Sequence, residues 1–407
     1  MEKKKTVNVD MKQYGMFLAL VAIFVLFKLI LIGIAYSKGV ADPIANAVNN
    51  ATPMNINNLI MQNGYVVILA VGMLLCVLTG NIDLGVGSVV AVTGAVAGII
   101  MIDYKQNMWV AILAALAIGL LVGVFAGVFI AYLGIPPFVV TLATMLMGRG
   151  ATYTLLQAQT KGPFQDDYNY LGAGFLPTLK IANPFAAEGT LDLVCIIVAA
   201  VATAVIILAE LNSIKTKKKY GFPLNPVWQV VVKNAVIIFI IWFVFYKLAC
   251  YNGIPFILLL MAVLVAIYAF VTSQTVAGRQ IYALGGNRKA AQLSGINTNN
   301  VFFWVYVNMG VLSAIAGIVL AARNGSATPK AGDGFEMDAI ASCYIGGAAV
   351  AGGAGTIMGA VVGAFIMGVL NNGMSLCGLS TDWQKIVKGV VLLGAVTIDV
   401  LSKRKKG

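Results

Sequence analysis

Asp83 stands in an otherwise apolar, glycine-broken stretch, Thr79-Gly80-Asn81-Ile82-Asp83-Leu84-Gly85-Val86-Gly87-Ser88. A carboxylate in the apolar interior of a membrane costs about 2.5 to 3.5 kcal/mol on insertion scales, so a residue of this kind carries a functional expectation. Asn81 and Asp83 together supply acceptors and donors suited to hydroxyl groups. The same carboxylate could cap the helix that follows, accepting backbone N–H bonds where the helix dipole favours negative charge, and the two roles can coexist. Arg149 is a second ionisable group inside an apolar run, expected to pair with a carboxylate or to reach an interface.

Gly85-Val86-Gly87-Ser88-Val89 has a weak internal counterpart in Gly353-Ala354-Gly355-Thr356-Ile357. Each follows an inward-running span and opens an outward one. Broken helices at matching positions of two halves point to a transport site, because unwound backbone is tolerated only where protein or water covers it. The pathway candidates are therefore Asn81, Asp83, Gly85, Gly87, Ser88, Gly353 and Gly355. Glycine also lets membrane helices approach closely, which is the plainer reading of Gly123-Val124-Phe125-Ala126-Gly127 and of Gly359 to Gly363.

Other chemistries lack their residues. The chain has no histidine, which removes the commonest metal ligand and the side chain that titrates near neutral pH. Cys76, Cys195, Cys250, Cys343 and Cys377 are dispersed and form neither a disulfide framework nor a metal knuckle. No G-x-x-x-x-G-K-[ST] phosphate loop, nucleophile elbow, H-E-x-x-H or catalytic carboxylate pair occurs. The residues describe a conduit whose energy comes from elsewhere, with no cofactor of its own.

The elements that must position these residues follow from composition. Of 407 residues, 60% are hydrophobic and only 10% charged, which excludes a soluble globular enzyme. A mean hydropathy of +0.91 and 44 glycines, most of them inside apolar runs, make the bilayer the organising solvent. Apolar runs are read near 14–36, 59–78, 84–102, 109–134, 138–156, 191–210, 227–250, 254–275 and 301–322, with a short piece at 339–351 and a longer run to 370. The fold expected is an all-α polytopic transmembrane helix bundle of about 10–12 spans, with broken helices and two weakly related halves, forming a single domain over 1–407.

Charge sets the topology. The formal net charge of +12 is gathered at Lys3, Lys4, Lys5 and Lys12, at Lys215 and Lys217 to Lys219, at Arg279, Arg288 and Lys289, and at Lys403 to Lys406, all expected inside, with both termini. No soluble basic face with interleaved aromatics exists, so nucleic acid is not an expected partner. Residues 157–190, rich in proline, glycine and aspartate, read as a long external loop. Gly278 to Asn300 is the most polar stretch of the second half, long enough for a docking helix.

Four motifs in order carry a resemblance: Thr79 to Val89; Thr141-Leu142-Ala143-Thr144-Met145 with Arg149-Gly150; Gly278-Arg279-Gln280-Ile281-Tyr282-Ala283-Leu284-Gly285-Gly286-Asn287 continuing through Ala290-Ala291-Gln292-Leu293-Ser294-Gly295-Ile296; and Gly368-Val369-Leu370-Asn371-Asn372-Gly373. Over nearly the whole chain they are similar to the permease subunits of ribose-, xylose- and galactose-type ABC importers. The resemblance implies a permease dimer in a bacterial inner membrane, in contact with its lipid, served by a cytoplasmic ATP-binding subunit and an extracytoplasmic sugar-binding protein, for a monosaccharide of the xylose, galactose, arabinose or ribose kind. It also implies that 278–296 is the cytoplasmic coupling loop, with Gly278, Arg279, Gly285, Gly286, Asn287, Ala290, Ala291, Ser294 and Gly295 facing the ATPase. An inserted helix pair at 212–252 is similar to the longer xylose and multiple-monosaccharide branch. The residues leave open an ion-coupled secondary carrier using Asp83, Asp399 and Arg149. A channel lacks any ring of charge or filter-like repeat.

Overall fold

The computed structural model describes residues 11–40, 42–46, 51–182, 190–221 and 226–404. Lys3 to Lys5, residues 183–189 of the expected external loop, 222–225 of the expected inserted pair, and 405–407 lie outside the described residues. Helices α1 (Met11–Ser37) and α2 (Pro43–Asn46) precede α3 (Pro53–Leu78), which Thr52 opens by accepting from the Asn55 N–H at 3.2 Å, with Pro53 in the first turn. After a break come α4 (Val86–Ile102), α5 (Met108–Ala131) and α6 (Pro137–Leu156). Asn107 caps α5, and Pro136 and Pro137 end the preceding turn and start α6 without needing an N–H partner.

The loop 157–190 holds a short helix, α7 (Asp166–Ala173), and strand β1 (Lys180–Ala182), which pairs antiparallel with β2 (Thr190–Asp192). The Lys161–Asp103 ion pair ties this loop to the turn between α4 and α5. Then follow α8 (Leu193–Lys219), α9 (Val227–Ala249) and α10 (Phe256–Gln274). Lys217, Lys218 and Lys219 complete the last turn of α8, where the helix dipole favours positive charge. Residues 212–252 contain the end of α8 and all of α9. These two helices join through Lys233–Glu210 at 2.7 Å and Trp242 Nε1–Thr203 Oγ1 at 3.1 Å.

The polar stretch folds as two short helices, α11 (Val276–Gly286) and α12 (Arg288–Leu293). Beyond it lie α13 (Thr298–Asn324), α14 (Phe335–Ile345), α15 (Ile357–Leu376) and α16 (Thr381–Arg404). Among the described residues nine helices are long and apolar enough to cross a membrane: α1, α3, α5, α6, α8, α9, α10, α13 and α15. α4 is a shorter apolar helix. The short piece expected at 339–351 is a helix over 335–345 followed by turns. At about 16 Å it reaches half of a ~30 Å hydrocarbon core, so it is a half-helix rather than a crossing of its own.

The core lies along α3, α13 and α15, most of whose residues are buried, while α8 and α9 present apolar side chains outward. α5 crosses α13 backbone to backbone: a Cβ on Gly119 would stand 2.6 Å from the Gly310 carbonyl oxygen, and one on Gly123 2.8 Å from that of Val307. Gly123 and Gly127, which sits against Phe303, thus serve close packing, as their spacing suggests.

Candidate functional site

The first break begins where α3 stops at Leu78 and Gly80 turns with φ 79°. Residues 79–85 are unwound, and Asn81 donates to the Thr79 hydroxyl at 3.3 Å. Asp83 is buried, and its Oδ1 accepts from the Gly85 N–H at 2.8 Å. The N-cap of α4 is Gly85, with no side-chain bond to the helix, so Asp83 closes a turn ahead of the helix instead of capping its first turn. Ser88 donates to the Gly85 carbonyl at 2.7 Å.

The beginning of α4 is deep in the bundle. A Cβ on Gly85 would touch Thr144, and one on Gly148 would stand 2.7 Å from Ser88 Oγ. Those α6 residues lie roughly 10 to 17 Å along the helix from Pro137, near the middle of its length. Across from them, a Cβ on Gly87 would overlap the Gly332 carbonyl and stand 2.6 Å from Glu336 Oε2. Arg149 donates to the Ala331 carbonyl, and its charge acts on Glu336 and Asp333. The expected pairing of Arg149 is thus a hydrogen bond to backbone with carboxylates nearby. Asp333, in the loop, is held below the ordinary carboxylate value of 3.8, first by its hydrogen bond to Lys385 at 2.8 Å. Beside this region an apolar cavity of about 310 Å³ opens between α4, α5 and α6, with Thr144 as the one hydroxyl on its walls.

The second break runs from Gly346 to Thr356 between α14 and α15. Thr356 caps α15, accepting from the Gly359 N–H at 3.0 Å. The aligned motifs place Gly353 opposite Gly85, yet α4 starts one residue after Gly85 and α15 starts at Ile357. The two hydroxyls differ as well, since Ser88 donates within a first turn and Thr356 accepts as a cap.

Contacts regroup the pathway candidates. Gly85, Gly87 and Ser88 meet α6 and the 331–336 stretch. Gly353 instead joins the end of α3, where its N–H donates to the Leu78 carbonyl at 2.9 Å. A Cβ on Gly355 would stand 3.1 Å from Leu74 Cδ1 and 3.1 Å from the Ala348 Cβ. The coupling candidates divide too. Gly278 is buried against the Thr272 carbonyl, and Ala291 is buried, whereas Arg279, Asn287, Ala290, Ser294 and Gly295 are exposed. Asn287 caps α12 by accepting from the Ala290 N–H at 3.0 Å. Gly285 and Gly286 meet the second break: a Cβ on Gly285 would overlap the Leu78 carbonyl and lie 2.7 Å from Gly353 N, and one on Gly353 would lie 2.9 Å from Gly286 N.

Sequence reasoning passed over two residues here. Tyr282 donates its phenolic hydroxyl to the Gly355 carbonyl at 2.7 Å. Its spacing of three from Gly285 places both on one helix face, which was readable once α11 was taken as a helix. Leu293 is 90% exposed at the end of α12, an apolar side chain on the outer face of a polar segment.

A bundle of apolar crossings interrupted twice by unwound backbone is the architecture of a multi-pass membrane transport protein. The chain belongs to the family described as branched-chain amino acid transport system / permease component, whose model matches residues 55–396. It is 37% identical to the xylose transport system permease protein of Haemophilus influenzae over 86% of this chain and 90% of that protein. The xylose transport system permease protein of Escherichia coli K12 is also 37% identical, over 86% of each chain. The ribose import permease protein of the same strain is 35% identical over 86% of this chain and 87% of its own length. No solved structure matches the chain significantly.

Proposed function

We propose that this chain is the membrane-spanning subunit of an ATP-driven monosaccharide importer of the xylose, ribose, galactose or arabinose kind. It forms the translocation path, and hydrolysis takes place on a separate cytoplasmic ATP-binding subunit. Two copies of the chain make up the membrane unit in the bacterial inner membrane, amid lipid, with both termini cytoplasmic. An extracytoplasmic sugar-binding protein docks on the opposite face, at residues 157–190. The similarity to xylose and ribose permeases over 86% of this chain supports the sugar class, and an ion-coupled carrier draws no support from these relatives.

The observation that carries the coupling is that α11 touches both the end of α3, from which the first break leaves, and the second break, through Gly285 on Leu78 and Gly286 beside Gly353. An ATPase seated on the exposed face of 278–296, with Arg279, Asn287, Ala290, Ser294 and Leu293, acts through α11 on both unwound segments. Sugar passes along the first break. Asn81, Asp83, Ser88 and the backbone of Gly85 and Gly87 offer hydrogen bonds to hydroxyls, and Arg149 and Glu336 stand close by. A weakly polar path suits a ligand that must be released after delivery.

A substrate panel tests the reading. In proteoliposomes holding this chain, its ATPase and its binding protein, uptake is expected for one or more of D-xylose, D-ribose, D-galactose and L-arabinose and not for L-leucine. Uptake of L-leucine alone would move the chain to the amino-acid branch that the family's description names.

A further inference from the structure

Three segments meet at a single carbonyl. Leu78 ends α3, so its oxygen is one of the carbonyls left without a partner inside the helix. The Gly353 N–H of the second break donates to it at 2.9 Å. Gly285 of α11 lies against the same oxygen so closely that no Cβ fits there. One turn back along α11, on the same face, the Tyr282 hydroxyl donates to the Gly355 carbonyl at 2.7 Å. The second break is thus fastened at two points two residues apart, to α3 through Gly353 and to α11 through Gly355. Ile281 and Leu284, both buried, hold α11 down on the bundle beside these contacts.

We infer that Tyr282 is a positioning residue that ties the coupling helix α11 to the second break, so that α11 carries the end of α3 and residues 353–355 as one unit. The inference rests on the importer reading and names the residue through which ATPase motion reaches the path. Backbone contact at Gly285 transmits a push, since two backbones at that distance cannot approach further. A pull needs a bond, and Tyr282–Gly355 is the side-chain bond that joins α11 to the second break. Without the hydroxyl, α11 can leave the break behind when it retracts, and ATP is hydrolysed without a matching movement of the path.

The test uses the complete importer in proteoliposomes and reads D-xylose, D-ribose, D-galactose or L-arabinose taken up per ATP hydrolysed, choosing whichever sugar the unsubstituted complex transports. Tyr282→Phe keeps the ring and removes the bond. Sugar moved per ATP is expected to fall roughly two- to tenfold, the range that one hydrogen bond spans, with hydrolysis retained. Tyr220→Phe, at an exposed tyrosine after α8, is expected to leave the ratio unchanged. Gly285→Ala forces a Cβ onto the Leu78 carbonyl and is expected to lower the ratio further; should it fail to assemble, Tyr282→Phe still decides. An unchanged ratio in Tyr282→Phe, or hydrolysis and uptake falling in proportion, overturns the inference. An unsubstituted complex that hydrolyses ATP and moves none of these sugars overturns the importer reading itself, in a separate arm.

Discussion

Lys388→Met should destabilise the protein far more than Lys385→Met, although both remove a lysine from α16 that pairs with an aspartate near the start of α14. The difference lies in burial. Lys388 Nζ is 2.9 Å from Asp338 Oδ1 and 3.0 Å from Oδ2, and Asp338 is only 2% exposed. The side chains of Lys385 and Asp333, 2.8 Å apart, are each 61% exposed. Removing one partner of a buried pair leaves an uncompensated charge and costs about 3–5 kcal/mol, whereas an exposed pair, screened by water, contributes little. In detergent, the thermal midpoint of Lys388→Met should fall by roughly 4–6 °C, and that of Lys385→Met by about 1 °C or less. Adding Asp338→Asn to Lys388→Met should recover most of the loss, because no ion is then left without its counterion. Equal, small losses for both lysines would refute the reasoning, since they would mean that water reaches Asp338. The pair also holds the half-helix α14 to α16, and α14 leads directly into the second break.

Asp83→Asn preserves the acceptor that Gly85 N–H uses, so the variant is expected to assemble as a monodisperse protein, while Asp83→Leu is not; size-exclusion profiles in detergent decide this. If Asp83→Asn assembles and loses uptake, the charge itself serves the path; if Asp83→Asn assembles and still transports while Asp83→Leu fails to assemble, the turn is what matters. The Asp333–Lys385 pair gives a pH signature. Because Asp333 titrates below its ordinary value in the folded state, its contribution is present above about pH 4 and is lost as pH falls through the lowered value. The small gap in thermal midpoint between the unsubstituted protein and Lys385→Met should therefore be constant from pH 5 to 7 and close in acid, as pH falls below the ordinary carboxylate value. A gap that widens in acid contradicts the sign.

Apolar run length and punctuation made most crossings readable. The run expected at 138–156 is α6 at Pro137–Leu156, and the run expected at 227–250 is α9 at Val227–Ala249, since prolines start both helices and length alone requires a crossing. Family membership was legible for a different reason: four motifs in order span the chain, and the relatives cover the same length. Depth was not readable. Nothing local distinguishes a half-helix at 335–345 from a short crossing at 339–351, because the loop before it folds inward onto Gly87 and Arg149 only in three dimensions. The likeness between Gly85 and Gly353 suggested one shared site. Their partners, α6 and the 331–336 stretch for one and α3 with α11 for the other, lie far away in sequence. Tyr282 was hidden among residues notable for being small, and its role depends on a carbonyl that lies 73 residues further along the chain.

The most direct test of the central claim is labelled-sugar uptake by proteoliposomes in which one component is omitted at a time, with ATP present and no proton or sodium gradient. Uptake should require this chain, the ATP-binding subunit and the sugar-binding protein together, and should stop when ATP is withdrawn. Uptake by this chain alone, driven by an imposed gradient and indifferent to ATP, would contradict the account and shift the mechanism to Asp83 and Arg149.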